Sequence, residues 1–148
     1  MESAPRVGVE GVSADDAAPY WKHLGVHELF VQQCGNCAKS RFPPMPGCPH
    51  CGSLDAEWIK VDDGGTIYSW VRVHRTTNPS FVAETPYVLV TVDLAPGCRI
   101  VGRLEGSEAP RMGQPVTLTF IDHAHTTELR FRPGSRTTNS PQEPDHND

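Results

Sequence analysis

Four cysteines in the stretch CGNCAKSRFPPMPGCPHCG, Cys34, Cys37, Cys48 and Cys51, form two Cys-x-x-Cys pairs with ten residues between them. Sulfurs in that arrangement can make a disulfide clasp, a redox dithiol or a metal cage. The N-terminal MESAPRVGVEGVSADD carries acids and lacks the apolar core of a signal peptide, and no apolar run approaches the ~18 residues of a membrane span. The expectation is therefore a soluble, cytoplasmic chain, in a compartment where structural disulfides are rare. A redox pair favours a helix start after a strand, whereas both pairs here lie among Gly and Pro. A metal cage is the reading that remains. A tetrahedral cation takes four thiolates at ~2.3 Å, and two Cys-x-x-Cys turns aim two sulfurs each at one point. Gly35 and Gly52 stand where such turns use positive φ, and Pro43, Pro44, Pro46 and Pro49 stiffen the loop between. Four sulfurs fill the shell, so the metal is structural; zinc is expected, and iron takes the same four-sulfur geometry. His50, inside the second pair, is expected at the surface.

The elements that position this cage follow from the flanking sequence. Asp15-Asp16 offers an N-cap and a negative first turn for a short helix through Tyr20, Trp21 and Leu24, stopped near Gly25. Residues 27–33 read as a strand leading into Cys34. Beyond the cysteines the apolar period becomes two. Residues 66–74, TIYSWVRVH, place Ile67, Val71 and Val73 on one side and Tyr68, Trp70, Arg72 and His74 on the other. Residues 87–94, 99–104, 116–121 and 128–132 complete five strands separated by Gly/Pro turns. The predicted fold is mostly β: a short N-terminal helix, a rubredoxin-like zinc ribbon, then a five-stranded barrel of the oligonucleotide/oligosaccharide-binding (OB) type, with an open five-stranded sandwich as the competing architecture. The expected organisation is a loose N-terminus at 1–14, helix and lead-in strand at 15–33, ribbon at 34–59, barrel at 60–133 and a disordered tail at 134–148.

A ribbon beside an OB-like barrel raises nucleic acid as a ligand, which charge argues against. Residues 60–133 hold eight Lys/Arg and eight Asp/Glu, and residues 34–59 hold two of each, so the net charge of −5 arises at the two ends. A polyphosphate binder draws affinity from a basic surface that this barrel lacks. Tyr68, Trp70 and Tyr87 are the residues available for base stacking if that alternative held. Catalytic signatures are also missing: there is no G-x-S-x-G and no Gly-rich phosphate loop after a strand. His74, His123 and His125 read as surface histidines, and Cys98 as a buried apolar thiol without base or oxyanion hole.

The succession of Tyr20-Trp21, CGNC, SRFPP, CPHCGS, Trp58, GGTIYSWVRVHR, PYVLVTVDL, GCRIVGRL and MGQPVTLTF resembles one family. It is similar to the rubredoxin-like zinc-ribbon plus OB-fold proteins that accompany acyl-CoA enzymes, across residues 19–133. The resemblance implies a non-catalytic accessory subunit of a thiolase-like or lipid-transfer-protein-like enzyme, condensing, thiolytic or retro-aldol, with the barrel near the acyl-CoA entrance. Cys98 departs from the small or aliphatic residue expected there. Arg72, His74, Arg75, Arg99 and Arg103 are the expected acyl-CoA-proximal residues, and Tyr20, Trp21, Leu24 and Phe42 the expected apolar contact with the partner. A stand-alone acyl-CoA-binding protein and a nucleic-acid-binding module are the alternatives.

Overall fold

The computed structural model describes residues 14–106 and 109–134; the expectations for the extreme N-terminus and for the tail lie outside the described residues. Helix α1 spans Ala14–Leu24, so Asp15 and Asp16 lie within its first described turn. Its C-terminus closes through Gly25 N–H to Trp21 O and His27 N–H to Leu24 O. His27 takes φ 60°, a left-handed value no strand residue adopts. The lead-in strand β1 (Leu29–Cys34) therefore begins two residues later than the pattern suggested.

β1 is the centre of a three-stranded sheet, between β2 (Ser40–Arg41) and β3 (Ala56–Val61), with Leu29 opposite Val61 and Cys34 opposite Ala56. β3 is an edge strand whose outer face is exposed, so its AEWIKV carries no clean alternation, and the sequence alone did not mark it. The sheet's core-side residues Leu29, Val31 and Val61 join Tyr20 and Leu24 in one apolar cluster with the barrel.

The barrel comprises β4 (Gly65–Val73), β5 (Tyr87–Leu94), β6 (Arg99–Leu104), β7 (Pro115–Asp122) and β8 (Thr127–Pro133), closed in the order β4-β5-β6-β8-β7. These are the five expected strands, joined by a parallel β6–β8 pair in the OB manner. A short helix α2 (Pro79–Val82), capped by Asn78, interrupts the β4–β5 connection. Inward residues Val88, Val90, Val92, Ile100, Leu129 and Phe131 fill the interior. Two glycine sites are fixed by close approach. A Cβ on Gly65 would lie 2.0 Å from Asp93 O, and one on Gly102 would lie 2.8 Å from the Phe131 ring.

One expected face assignment is overturned. The β4–β5 register shifts between Ile67 and Ser69, so Ile67, Trp70 and Arg72 oppose the inward Val92, Val90 and Val88. This bulge around Tyr68 inserts one residue and inverts the phase that strict alternation carries. Val71 is consequently 57% exposed on the outer face, parted from Ile67, which is buried.

Candidate functional site

The two Cys-x-x-Cys turns fold alike. In the first, Ala38 N–H bonds Cys34 O and Cys34 N–H bonds Lys39 O; in the second, Gly52 N–H bonds Cys48 O and Cys48 N–H bonds Ser53 O. The residue after each pair takes positive φ, Ala38 at 61° and Gly52 at 76°. Gly52 thus has the expected role and Gly35 does not. Gly35 instead sits close to Asp55: its N–H bonds Asp55 O, and a Cβ there would lie 3.1 Å from Asp55 Cβ, so a side chain would force Asp55 to shift by a few tenths of an ångström.

These turns bring the four sulfurs within 4.8 Å of one another. Cys34 Sγ to Cys51 Sγ and Cys37 Sγ to Cys48 Sγ are each 3.6 Å. A tetrahedron of ~2.3 Å metal–sulfur bonds has edges of ~3.8 Å, so the spacing suits one ion with four thiolates. Backbone N–H groups of Cys37 and Asn36 point at Cys34 Sγ and pull its thiol down to about 6, while those of Cys51 and His50 lower Cys48. Asn36 Nδ2 donates to Cys51 Sγ at 3.6 Å. Fixed dipoles thus bias Cys34 and Cys48 toward the anion that a cation site requires, whereas Cys37, although the Lys39 N–H lowers it, is pushed up to about 11 by burial and by its contacts with the other sulfurs. His50 sits outside the sulfur cluster, exposed beside Lys39.

The connector between the turns is held by a polar strut absent from the sequence expectations. Buried Arg41 donates from Nε to Gln32 Oε1 and from Nη2 to Met45 O, and Met45 N–H donates to the same Gln32 oxygen. The Ser-Arg-Phe-Pro-Pro string was its only sequence signal.

The expected apolar docking face divides. Leu24 is 1% exposed and Tyr20 7%, both core residues of this chain, and burial pushes the Tyr20 phenol up to about 12. Phe42 packs partly buried against Tyr20, with ring centroids 5.3 Å apart. Trp21 alone of the four stands out, 50% exposed. The expectation of an exposed Tyr20 and Leu24 is corrected because the barrel and the ribbon sheet close over that side of α1.

The five expected acyl-CoA-proximal residues do not form one patch. Arg99 pairs with Asp93 and stacks on Tyr68, in the row of Thr66, roughly 17 Å along the sheet from Arg72. Arg103 is 8% exposed, paired with Glu84 and covered by the Tyr87 ring at 4.1 Å, with Phe81 beyond. It anchors α2 and the β4–β5 connection rather than facing a ligand. Arg72, His74 and Arg75 remain together, exposed, with no ion pair among the described residues. Cys98 is buried, and desolvation raises its thiol, as befits an inert packing group. His123 is paired with Glu128, and His27 with Asp122, in surface contacts.

Residues 21–57 match the family described as the ChsH2 rubredoxin-like zinc ribbon domain, and residues 58–120 match the ChsH2 C-terminal OB-fold domain. A solved chain described as an Ltp2-ChsH2(DUF35) aldolase is similar at 32% identity and TM-score 0.73, over 88% of this chain and 98% of that one. A probable enoyl-CoA hydratase alpha subunit of Thermomonospora curvata is 35% identical over 72% of this chain and 34% of its own length. This chain thus spans about a third of that relative. The benzoylsuccinyl-CoA thiolase subunit BbsA of Thauera aromatica is 29% identical over 72% of this chain and 67% of its own. Among the described residues, no helix is long and apolar enough to cross a membrane.

Proposed function

The chain belongs to the ChsH2 family of rubredoxin-like zinc-ribbon and OB-fold (DUF35) proteins, and from that membership we propose that it is the non-catalytic accessory subunit of a thiolase-superfamily enzyme acting on acyl-CoA or a related thioester. The observation that carries this reading is the match over 98% of a chain described as part of an Ltp2-ChsH2 aldolase. The site chemistry agrees. Cys34, Cys37, Cys48 and Cys51 would hold one zinc, which supplies a cross-link between the two turns. A shell of four thiolates leaves no position for substrate, so the ion stabilises the fold. Cys98 is buried and, among the described residues, no side chain is hydrogen-bonded to its thiol, and the paired histidines lie on the surface, so we assign the nucleophile and the proton transfers to the partner. Trp21, with the part of Phe42 left uncovered, supplies the apolar anchor of the contact. His74 and Arg75, beyond the end of β4, are the side chains that would meet the anionic half of coenzyme A.

The test is co-purification of the tagged chain from its native cell, identification of the bound protein, and assay of each component and the complex on acyl-CoA. The expected result is a thiolase-like partner, no turnover by this chain alone, and a partner that is weak or insoluble alone. Enzyme-like turnover by the isolated chain would overturn the reading.

A further inference from the structure

β4 is paired on both sides at its start and on one side along the rest of its length. At its start Gly65 and Thr66 pair with Val116 and Pro115, and Ile67 exchanges backbone hydrogen bonds with Gln114 and Gly113. From Ser69 to Val73 it pairs with β5 on one side only, and among the described residues nothing bonds its other edge. Trp70 and Arg72 share the phase of Ile67, so their N–H and C=O groups point to that open side, as Ile67's do. Edge strands are ordinarily blunted by charge or proline. Here Ser69, Trp70 and Val71 carry neither, Trp70 is 37% exposed and Val71 57%. The open edge is about 17 Å long, the length of an ordinary strand. Its far end is basic, because Arg72 and Arg75 are exposed without carboxylate partners among the described residues, in a chain of net charge −5.

We propose that the free edge of β4 at Ser69–Val73 receives an extended, carboxylate-bearing segment of the partner subunit as an added strand, with Arg72 pairing to that carboxylate. The inference rests on the accessory-subunit reading and deepens it. Backbone pairing at Trp70 and Arg72 supplies register, the Trp70 ring covers apolar side chains of the incoming segment, and the charge at Arg72 selects an acidic sequence over a basic one. Arg72 thereby belongs to the contact between subunits, and His74 and Arg75 remain for substrate. The added strand would bring the partner to the end of the barrel where those two residues lie.

Hydrogen–deuterium exchange of the co-purified complex against the isolated chain tests this. The amides of Trp70 and Arg72 are expected to slow by about tenfold or more in the complex and to be independent of concentration in the isolated chain. Arg72→Pro, which removes an edge N–H that β5 does not use, and Arg72→Glu, which keeps the N–H and reverses the charge, are both expected to lose the partner with metal content and melting temperature retained. A complex in which those amides stay unprotected, or in which both variants assemble normally, overturns the inference while leaving the accessory-subunit reading intact. Protection that rises with the concentration of the isolated chain overturns it in favour of self-pairing. Absence of any thiolase-like partner overturns both.

Discussion

The ribbon and the barrel are stabilised by different physics although they share one apolar cluster. The ribbon contributes Leu29, Val31 and Val61 from one sheet face, and the loop between its cysteines is fixed by polar contacts: paired backbone bonds in two turns, the Arg41–Gln32–Met45 strut and four converging sulfurs. The barrel interior is almost wholly aliphatic and aromatic, with Val88, Val90, Val92 and Phe131 interlocked across strands and glycines where backbones nearly touch. A loop with few apolar groups cannot offset its ordering entropy by burial, so a cross-link substitutes for a core; the barrel needs none.

The largest break in this comparison is removal of a sulfur. Cys34→Ser or Cys51→Ser is expected to abolish metal binding, unfold the ribbon and prevent assembly while the barrel keeps its strands, because structural zinc contributes on the order of 10 kcal/mol to such sites. Elemental analysis with residue-resolved exchange checks it; a metal-free, fully folded variant would contradict the contrast. The barrel's counterpart is Gly65→Ala, which drives a methyl against Asp93 O and should exceed the ~1–3 kcal/mol of ordinary overpacking. Gly102→Ala, meeting the edge of the Phe131 ring, should fall within it, as denaturant titration would show.

Next in size is the contrast between two residues of one helix. Leu24→Ala should cost about 2–5 kcal/mol by opening the shared core. Trp21→Asp should leave the melting temperature of the isolated chain nearly unchanged yet abolish the complex, since a charge would be desolvated in the contact. Normal assembly of Trp21→Asp would remove α1 from the interface.

Smaller effects distinguish the two cysteine turns. Ala38→Gly should stabilise the first and Gly52→Ala destabilise the second, each by roughly 1 kcal/mol, because the same positive φ is held by Ala in one and Gly in the other. The smallest effect tests the tie between modules. Asp122 accepts from His27 Nε2 at 2.9 Å and from Thr127, and these contacts hold its carboxyl below the usual range. A lowered carboxyl contributes stability above its ordinary pKa and loses it as pH falls through the lowered value. The difference in melting temperature between wild type and Asp122→Asn should accordingly close as pH falls below about 4.

Spacing along the chain was sufficient for the cysteine cluster and for the existence of all five barrel strands, because a Cys-x-x-Cys turn and a period of two are local geometries that the covalent chain carries with it. Neighbours far away in sequence decided the rest. The bulge at Tyr68 reverses the inward phase of β4 through its register with β5 about twenty residues on, so Trp70 and Arg72 share a face with Ile67 and Val71 does not. Tyr20 and Leu24 are buried because ribbon and barrel close over them, while Trp21 beside them faces outward. Arg99 and Arg103 read as free charges until Asp93, Tyr68, Glu84 and Tyr87 were brought against them. β3 was illegible as an edge strand without alternation and exists because β1 supplies its partner. Residue type and spacing fix what a segment can form; which face is covered and which charge stays unpaired depends on contacts that only the folded chain makes.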